Sequence, residues 1–312
     1  MDAPVTPDSG EPPTPGSGEP WTPLLLTRWS GHYLTRKGVE NGRLDAELLL
    51  ARILGLKRLD LYLQHDRPLL PRELESFKSL LKRRAAREPL QHILGTTAFR
   101  ELELRTDARA LVPRPETEVL VEEVLSWVRG EGSGLLEGGE GEGLTALDVG
   151  TGTGAIALSL AKEGPFRRIV ATDPSPGALA LARENAGIHG LEDRVELREG
   201  PLFHPLDGGE RFHVVASNPP YVPEEEEEEL EPEVRDYEPR EALFAGLRGL
   251  DVLLPLVSGA PEHLVEGGLL AVEVGLGQAR EVARAAEDTG RYREIRIRQD
   301  LAGRDRVVLG VA

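Results

Sequence analysis

Between residues 21 and 87, apolar side chains recur every three or four positions: Leu24, Leu25, Trp29 and Leu34; Leu44, Leu48, Leu49 and Leu54; Leu74, Phe77, Leu80 and Leu81. That spacing stacks each group on one helix face. Asn41-Gly42 and the prolines at 68 and 71 divide the pattern into a small bundle of three to five helices. The period then changes. Residues 99–105 alternate as Phe-Arg-Glu-Leu-Glu-Leu-Arg, which predicts a half-buried strand forming one arm of a hairpin. Residues 116–128 return to helical spacing, with Pro115 at a helix start, where its missing N–H does no harm. Beyond residue 143, short continuous apolar runs at 144–149, 168–173, 212–217 and 269–274 read as buried strands, and 155–162 and 278–289 read as helices. Residues 293–299 and 306–311, joined by the turn-rich 300–305, predict a closing antiparallel hairpin. Alternation of buried strands and helices predicts an α/β fold on a mostly parallel sheet.

Composition sets the limits of this picture. Residues 1–20 hold Pro, Gly, Ser, Thr and acids with almost no apolar content, so a disordered tail is expected over residues 1–22. The remaining divisions are a helical domain over 23–90, a linker of hairpin, connecting helix and flexible Gly/Glu-rich loop over 91–143, and a catalytic domain over 144–312. With 312 residues the chain can bury a full core and hold more than one domain. No signal peptide and no apolar run of membrane-spanning length is visible, so the expectation is a cytoplasmic protein with no membrane contact. The chain has no cysteine and seven scattered histidines, which excludes disulfides and predicts no metal site. Its formal net charge is −17, from 37 basic and 54 acidic residues, and this argues against a nucleic-acid substrate, whose phosphates call for a basic field. A basic group at Lys78, Lys82, Arg83, Arg84 and Arg87 sits at helical spacing and reads first as a solvated helix face.

Candidate chemistry gathers at three strand ends. After the strand at 144–149 comes Gly150-Thr151-Gly152-Thr153-Gly154, whose alternate glycines allow a tight turn that brings backbone against a ligand. The next strand ends in Asp173, placed to accept hydrogen bonds from ribose hydroxyls; as a favoured N-cap residue it equally fits a helix start. The strand at 212–217 runs into Asn218-Pro219-Pro220-Tyr221. The Asn218 side-chain oxygen and the Pro219 carbonyl offer two adjacent acceptors, a match for one planar NH₂ group. The alternative is an ordinary Asn-Pro turn with Tyr221 packed on the core. Immediately beyond, Glu224–Glu229 is a run of six acids that reads as a solvated mobile loop, or as a loop that orders over substrate or steers a basic partner.

Residues 148–154, Asp173 and the Asn-Pro-Pro-Tyr stretch, in that order, resemble the class I S-adenosylmethionine-dependent methyltransferases that act on a planar amino or amide nitrogen. Residues 89–95 (PLQHILG) with Phe99, 112–118 (VPRPETE), 237–243 (YEPREAL), 249–251 (GLD), and 273–275 (EVG) with Gln278 resemble the release factor glutamine methyltransferase family, the PrmC or HemK type. The resemblance runs from about residue 24 to the C-terminus. It implies a seven-stranded class I (Rossmann-like) sheet with a small all-α N-terminal domain and a β-hairpin linker. The implied activity is methylation of the side-chain amide of the glutamine in the Gly-Gly-Gln motif of class 1 peptide chain release factors, with S-adenosylmethionine as cofactor. The N-terminal bundle would grip the protein substrate or simply cap the catalytic domain. Siblings sharing the motif include adenine-N(6) nucleic-acid methyltransferases and a ribosomal-protein glutamine methyltransferase.

Carried over residue by residue, the resemblance assigns catalysis to Asn218, Pro219 and Tyr221, the last packing on the substrate amide. Asn218, Pro219, Pro220, Tyr221, Arg114 and Glu116 would bind substrate. Asp148, Gly150, Thr151, Gly152, Gly154, Asp173, Leu202, Phe203 and Asn218 would hold the cofactor. Asp148 fits either the cofactor's amino group or a structural role in the turn, and Glu273 fits either structural pairing or the pocket wall. The family places an acid after its third strand, near the adenine; here Pro201 stands there, which leaves adenine recognition to backbone groups or to Leu202 and Phe203.

Overall fold

Helices α1 (Pro23–Arg36), α2 (Gly42–Leu54), α3 (Asp60–Leu63), α4 (Pro71–Ala85) and α5 (Leu90–Leu94) take up the N-terminal helical periodicity. The computed structural model describes residues 20–136 and 143–312; residues 1–19 of the expected tail and 137–142 of the expected Gly/Glu-rich loop lie outside the described residues. Local chemistry sets the helix ends. Thr22 Oγ1 accepts the Leu25 N–H at 3.4 Å ahead of Pro23, and Glu73 Oε2 accepts the Leu70 N–H at 2.8 Å ahead of Pro71. At its far end α2 stops on Gly55, whose φ of 64° suits glycine. Leu34, Leu49, Leu50, Phe77 and Leu81 form the core of this unit. Arg84, read from sequence as part of a solvated face, is buried instead, its Nε donating to Asp45 Oδ2 of α2 at 2.7 Å. A guanidinium taken out of water requires such a partner. Residues 91–94, read as linker, belong to α5, with Ile93 in the core; the unit ends at Leu94.

The second unit begins at Gly95 with strands β1 (Thr96–Phe99) and β2 (Leu102–Arg105), an antiparallel hairpin. The alternating run at 99–105 is therefore not one arm, because the chain reverses inside it. Arg100 adopts a φ of 49°, held by its N–H donating to Glu118 Oε1 and its guanidinium donating to Glu163 and Glu122. Helix α6 (Pro115–Arg129) follows, then a 3-10 helix at Glu131–Leu136, so the first part of the expected flexible loop is ordered.

The remaining elements are β3 (Leu144–Val149), α7 (Ala155–Glu163), β4 (Phe166–Asp173), α8 (Pro176–His189), β5 (Val195–Glu199), β6 (Phe212–Ser217), α9 (Pro232–Arg235), α10 (Leu253–Gly259), β7 (Leu264–Glu273), α11 (Ala279–Asp288), β8 (Glu294–Gln299) and β9 (Asp305–Val311). The acid run Glu224–Glu229 forms a 3-10 helix, with Glu227 paired to Arg240. The strands make one sheet in the order β5-β4-β3-β6-β7-β9-β8; the first five are mutually parallel and β9 is antiparallel to both neighbours. Successive residues of the central strands face opposite cores. Ala146, Ala171, Ala216 and Ala271 pack with α6, α7 and α8, and Leu147, Val170, Val215 and Leu270 pack with α10 and α11. Burial on both faces explains why these strands read as unbroken apolar runs. β3 lies where chain order departs toward both sheet edges, the point at which a crevice opens beyond the strands' carboxyl ends.

A polar residue with no sequence signal ties the hairpin to this sheet. Asn185, fully buried on α8, accepts the Arg105 N–H at 2.7 Å through Oδ1, and its Nδ2 donates to the carbonyls of Arg105 and Thr153 at 3.1 and 2.9 Å. Asn185→Ala strands these groups, and the expected cost is about 2–4 kcal/mol, read as a lower midpoint in urea unfolding.

Candidate active site

Three strand ends, at β3, β4 and β6, lie side by side and supply the floor of a cavity of about 300 Å³. The turn after β3 is held from below. Gly150 and Thr151 donate their N–H groups to the Thr172 carbonyl at 2.8 and 3.0 Å, and Gly154 donates to Thr151 at 2.8 Å. Gly150, Gly152 and Gly154 have φ of 75°, 56° and 86°, a region where L side chains are strained. Gly150 and Gly152 have no protein atom closer than 3.9 Å to where a Cβ would stand, so their backbone borders open space. Gly154 instead packs on Leu158 and starts α7, away from the lining.

Two buried acids organise this turn. Asp148 is fully buried; its Oδ2 accepts from Thr151 Oγ1 at 2.7 Å and the Ala157 N–H at 3.1 Å, and its Oδ1 has no hydrogen-bond partner among the described residues. Burial pushes its carboxyl up to about 7, against the pull of those two donors. Asp173 accepts the Gly152 N–H at 2.9 Å and the Ser175 N–H at 2.8 Å, one on each oxygen. Burial raises its pKa too, opposed by the same two bonds. The N-cap of α8 is Ser175, whose Oγ accepts from Ala178, so the helix-capping alternative for Asp173 does not hold. Asp173 lines the cavity, as do Pro201 and Leu202. Leu202 carries a φ of 48°, and its carbonyl accepts from Thr172 Oγ1 at 3.3 Å. Phe203 turns away and stacks on His263 with ring centroids 4.6 Å apart, so it does not line the cavity.

Asn218, Pro219 and Pro220 form the opposite wall. Asn218 Nδ2 donates to Thr117 Oγ1 at 2.9 Å, and Thr117 donates to Glu273 Oε2 at 2.7 Å. Neither Asn218 Oδ1 nor the Pro219 carbonyl accepts a hydrogen bond from another described residue. Tyr221 is placed differently from its expected stacking role. Its ring packs against the apolar cluster on the α10 and α11 side, and its O–H donates to Glu273 Oε1 at 3.1 Å. Burial pushes this phenol above its ordinary range and lifts Glu273 to about 7. Of the two readings of Glu273, structural pairing is the one realised, since it is fully buried and outside the lining. Gln278 Nε2 and the close approach of Gly249 hold the Tyr221 carbonyl from behind, which accounts for those two residues of the family-like segments.

Arg114 reaches the cavity and donates through Nη2 to both oxygens of Glu238, each at 2.8 Å, joining the 112–118 and 237–243 segments. Glu116 does not reach it; its carboxylate meets Arg304 at 3.3 Å. Arg109, Thr117, Glu241, Ala242, Asp251 and Val252 also line the cavity and were not singled out from sequence. Thr117, Glu241, Ala242 and Asp251 lay in plain view inside the 112–118, 237–243 and 249–251 segments, whereas Arg109 and Val252 come from stretches without a motif. Among the described residues no group of three or more His, Asp or Glu side chains is placed to hold a metal ion, and no helix is long and apolar enough to cross a membrane.

Two family models match the chain: the PrmC N-terminal domain over residues 26–95 and a methyltransferase domain over residues 146–236. Over 282 residues the chain is 46% identical to the release factor glutamine methyltransferase of Geobacter sulfurreducens, covering 90% of this chain and 94% of that one. The protein of the same name from Deinococcus radiodurans is 43% identical over 91% of this chain and 96% of its own. Among solved structures, the hMettl16 catalytic domain in complex with MAT2A 3′UTR hairpin 6 superposes with a TM-score of 0.54 at 14% identity, over 71% of this chain and 80% of that one, a likeness of fold alone.

The Arg114–Glu238 pair is testable as a clasp. Glu238 has a side chain 1% exposed, and Arg114→Met leaves it without a cation. The expected loss is about 3 kcal/mol, and Arg114→Met combined with Glu238→Gln recovers part of it in a double-mutant cycle of urea unfolding.

Proposed function

The chain belongs to the release factor glutamine methyltransferase family, and on that premise we propose that its cavity transfers a methyl group from S-adenosylmethionine to the side-chain amide nitrogen of the Gly-Gly-Gln glutamine in class 1 release factors. The observation that carries the residue assignment is the convergence of an open glycine turn, Asp173 and the free acceptors of Asn218 and Pro219 on one cavity. A cytoplasmic setting is part of the same proposal.

The residues present fit the cofactor. Gly150 and Gly152 border space that a side chain would fill, and the buried Asp148 Oδ1 is an acceptor without a partner beneath the same turn. In this assignment the 150–152 backbone holds the methionine portion and Asp173 the ribose, with Leu202 against the base. Gly154 and Asp148 shape the turn. When bound, the cofactor supplies an electrophilic sulfonium methyl. The protein's task lies with the nucleophile, since an amide nitrogen shares its lone pair with its carbonyl and attacks poorly. Asn218 Oδ1 and the Pro219 carbonyl accept its two N–H bonds, fix its plane, and favour the positive charge that develops as the N–C bond forms and the S–C bond breaks. One N–H proton of the nitrogen held by these acceptors would then leave to solvent. No strong base is needed beforehand, because that proton turns acidic only as the new bond forms. Orientation and aimed dipoles of this kind carry most of the rate. Tyr221 acts from outside the cavity, through Glu273, rather than on the amide.

Electrostatics supports a protein substrate over a nucleic acid. The two arginines in the lining, Arg109 and Arg114, are each engaged by carboxylates, Asp107 with Glu184 and Glu238 respectively, and Asp173, Glu241 and Asp251 share the same wall. No cation of that wall is left for a phosphate.

Labelled methyl should pass from S-adenosylmethionine to a purified class 1 release factor and not to its Gly-Gly-Ala variant; label on ribosomal protein or DNA instead would move the assignment to a sibling activity. Asn218→Ala is expected to lower kcat by about 10² to 10³, the usual effect of losing one preorganised polar contact. Gly152→Ala places a Cβ in the cavity from a left-handed backbone and should weaken cofactor binding at least about tenfold in calorimetry, with kcat at saturation little changed.

A further inference from the structure

An asparagine amide offers a donor as readily as an acceptor, because a half-turn of the group exchanges two ends of nearly equal size. The geometry points to Thr117 and Glu273 as positioning residues that choose between them: with Glu273 ionised, the line Glu273–Thr117–Asn218 runs in one direction and presents Asn218 Oδ1 to the cavity. This deepens the proposed function and rests on its reading of Asn218 as the substrate's acceptor.

The direction follows from counting protons. A carboxylate has no hydrogen to give, so the single O–H of Thr117 goes to Glu273 Oε2, 2.7 Å away. The Thr117 oxygen is left as an acceptor, and Asn218 must meet it with Nδ2, at 2.9 Å. The Tyr221 O–H engages the other oxygen at 3.1 Å and keeps the carboxylate from turning. One proton added to Glu273 lifts the constraint. The neutral carboxyl can donate to Thr117, Thr117 can turn its own proton toward residue 218, and the amide meets it best with Oδ1. The cavity then faces Nδ2, and two donors oppose each other where the substrate's NH₂ must sit.

The groups around Glu273 make this proton a live one. Burial raises the carboxyl to about 7; the Thr117 and Tyr221 hydroxyls and Arg306 of β9 pull it down, and Glu116 of α6 pushes it up. Arg306 does not close an ion pair with Glu273: its Nη1 donates to the Val274 carbonyl at 3.1 Å and its Nη2 lies 3.8 Å from Asp300. Arg114 faces the same corner through Tyr221 but is bound to Glu238.

The chain has three asparagines, Asn41, Asn185 and Asn218, so labelling asparagine alone with nitrogen-15 gives three side-chain NH₂ signals in NMR. Asn218→Ala identifies one by its loss. In the unaltered protein that signal should shift with a single-proton midpoint near pH 7; Thr117→Ser should keep the shift, while Thr117→Val and Glu273→Gln should abolish it. In parallel, kcat at saturating cofactor should fall as pH drops through the same midpoint, Thr117→Val should lower it about 10- to 100-fold with unchanged cofactor affinity, and Glu273→Gln should shrink the acid limb. Burial also lifts Asp148 to about 7, and any share it has in the acid limb would survive Glu273→Gln, which is why the Asn218 signal decides. An Asn218 signal indifferent to pH, or one whose shift persists in Glu273→Gln, overturns the relay while leaving the substrate assignment standing. A signal that titrates through Glu273 in a protein that does not methylate release factor sustains the relay and removes the substrate assignment. The titration of the unaltered protein and the Thr117→Ser variant keep the test decisive if Thr117→Val fails to fold.

Discussion

Parallel pairing of β4, β3 and β6 is the constraint on which the site depends. Parallel neighbours end on the same side of a sheet, so Gly150, Asp173 and Asn218, 23 and 45 residues apart in sequence from one to the next, arrive at adjacent strand ends without any long-range search by their side chains. The register fixes this closely: Val149 pairs with Thr172 on one side and Ser217 on the other, and each functional residue follows directly. Ser217 Oγ donating to the Val149 carbonyl at 2.6 Å adds a side-chain tie at the same level. A slip of one residue along any of these strands would exchange the alanines packed on one face with the larger Leu and Val side chains packed on the other as well as break the site.

Concentrating polar groups at those strand ends has a cost that the structure leaves partly uncompensated. Asp148, Asp173, Glu238 and Glu273 are all buried carboxylates whose pKa is raised, in each case chiefly by loss of water. Hydrogen bonds offset this for each, from Thr151 and Ala157, from Gly152 and Ser175, from Arg114, and from Thr117 and Tyr221 respectively. Only Glu238 has a directly paired cation. Replaced by apolar side chains of similar size, such groups would often leave a fold no less stable, so their bonding to residues that line one cavity points to orientation of backbone and amide dipoles as their use.

Much of this was legible in the residue pattern, and the gaps have physical causes. The central strands are buried on both faces, so their apolar runs stand out, and the glycines of the 150–154 turn are demanded by backbone angles that few other residues accept. The hairpin turn at Arg100 escaped because alternation carries straight through it; only long-range bonds to Glu118 and Glu163 bend the chain there. Arg84 looked like part of a basic face because periodicity reports spacing and not which side a helix buries. Tyr221 and Phe203 sit next to cavity residues in sequence yet point into the core, since adjacent loop residues diverge in ways that no period encodes. Asn185 gave no local sign, because its partners lie 80 and 32 residues away, and Glu238, though inside the 237–243 segment, gave no sign of its partner Arg114, 124 residues away.

The acidity of the chain and the nature of the proposed nucleophile fit one another. Attack by a neutral amide on a sulfonium would move positive charge onto the nitrogen held at the acceptor wall, so the site needs acceptor dipoles aimed at that nitrogen and a correctly turned amide, and no basic field. Formal charge can therefore be strongly negative without harming the chemistry, provided that cations near the cavity are paired locally, as Arg109 and Arg114 are. On the proposed role of Asn218, what cannot be relaxed is the direction of its hydrogen bonds, because an acceptor turned into a donor reverses the sign of the contact rather than weakening it. A fully buried carboxylate two hydrogen bonds away is well suited to hold that direction, being acceptor-only while ionised and shielded from competing water.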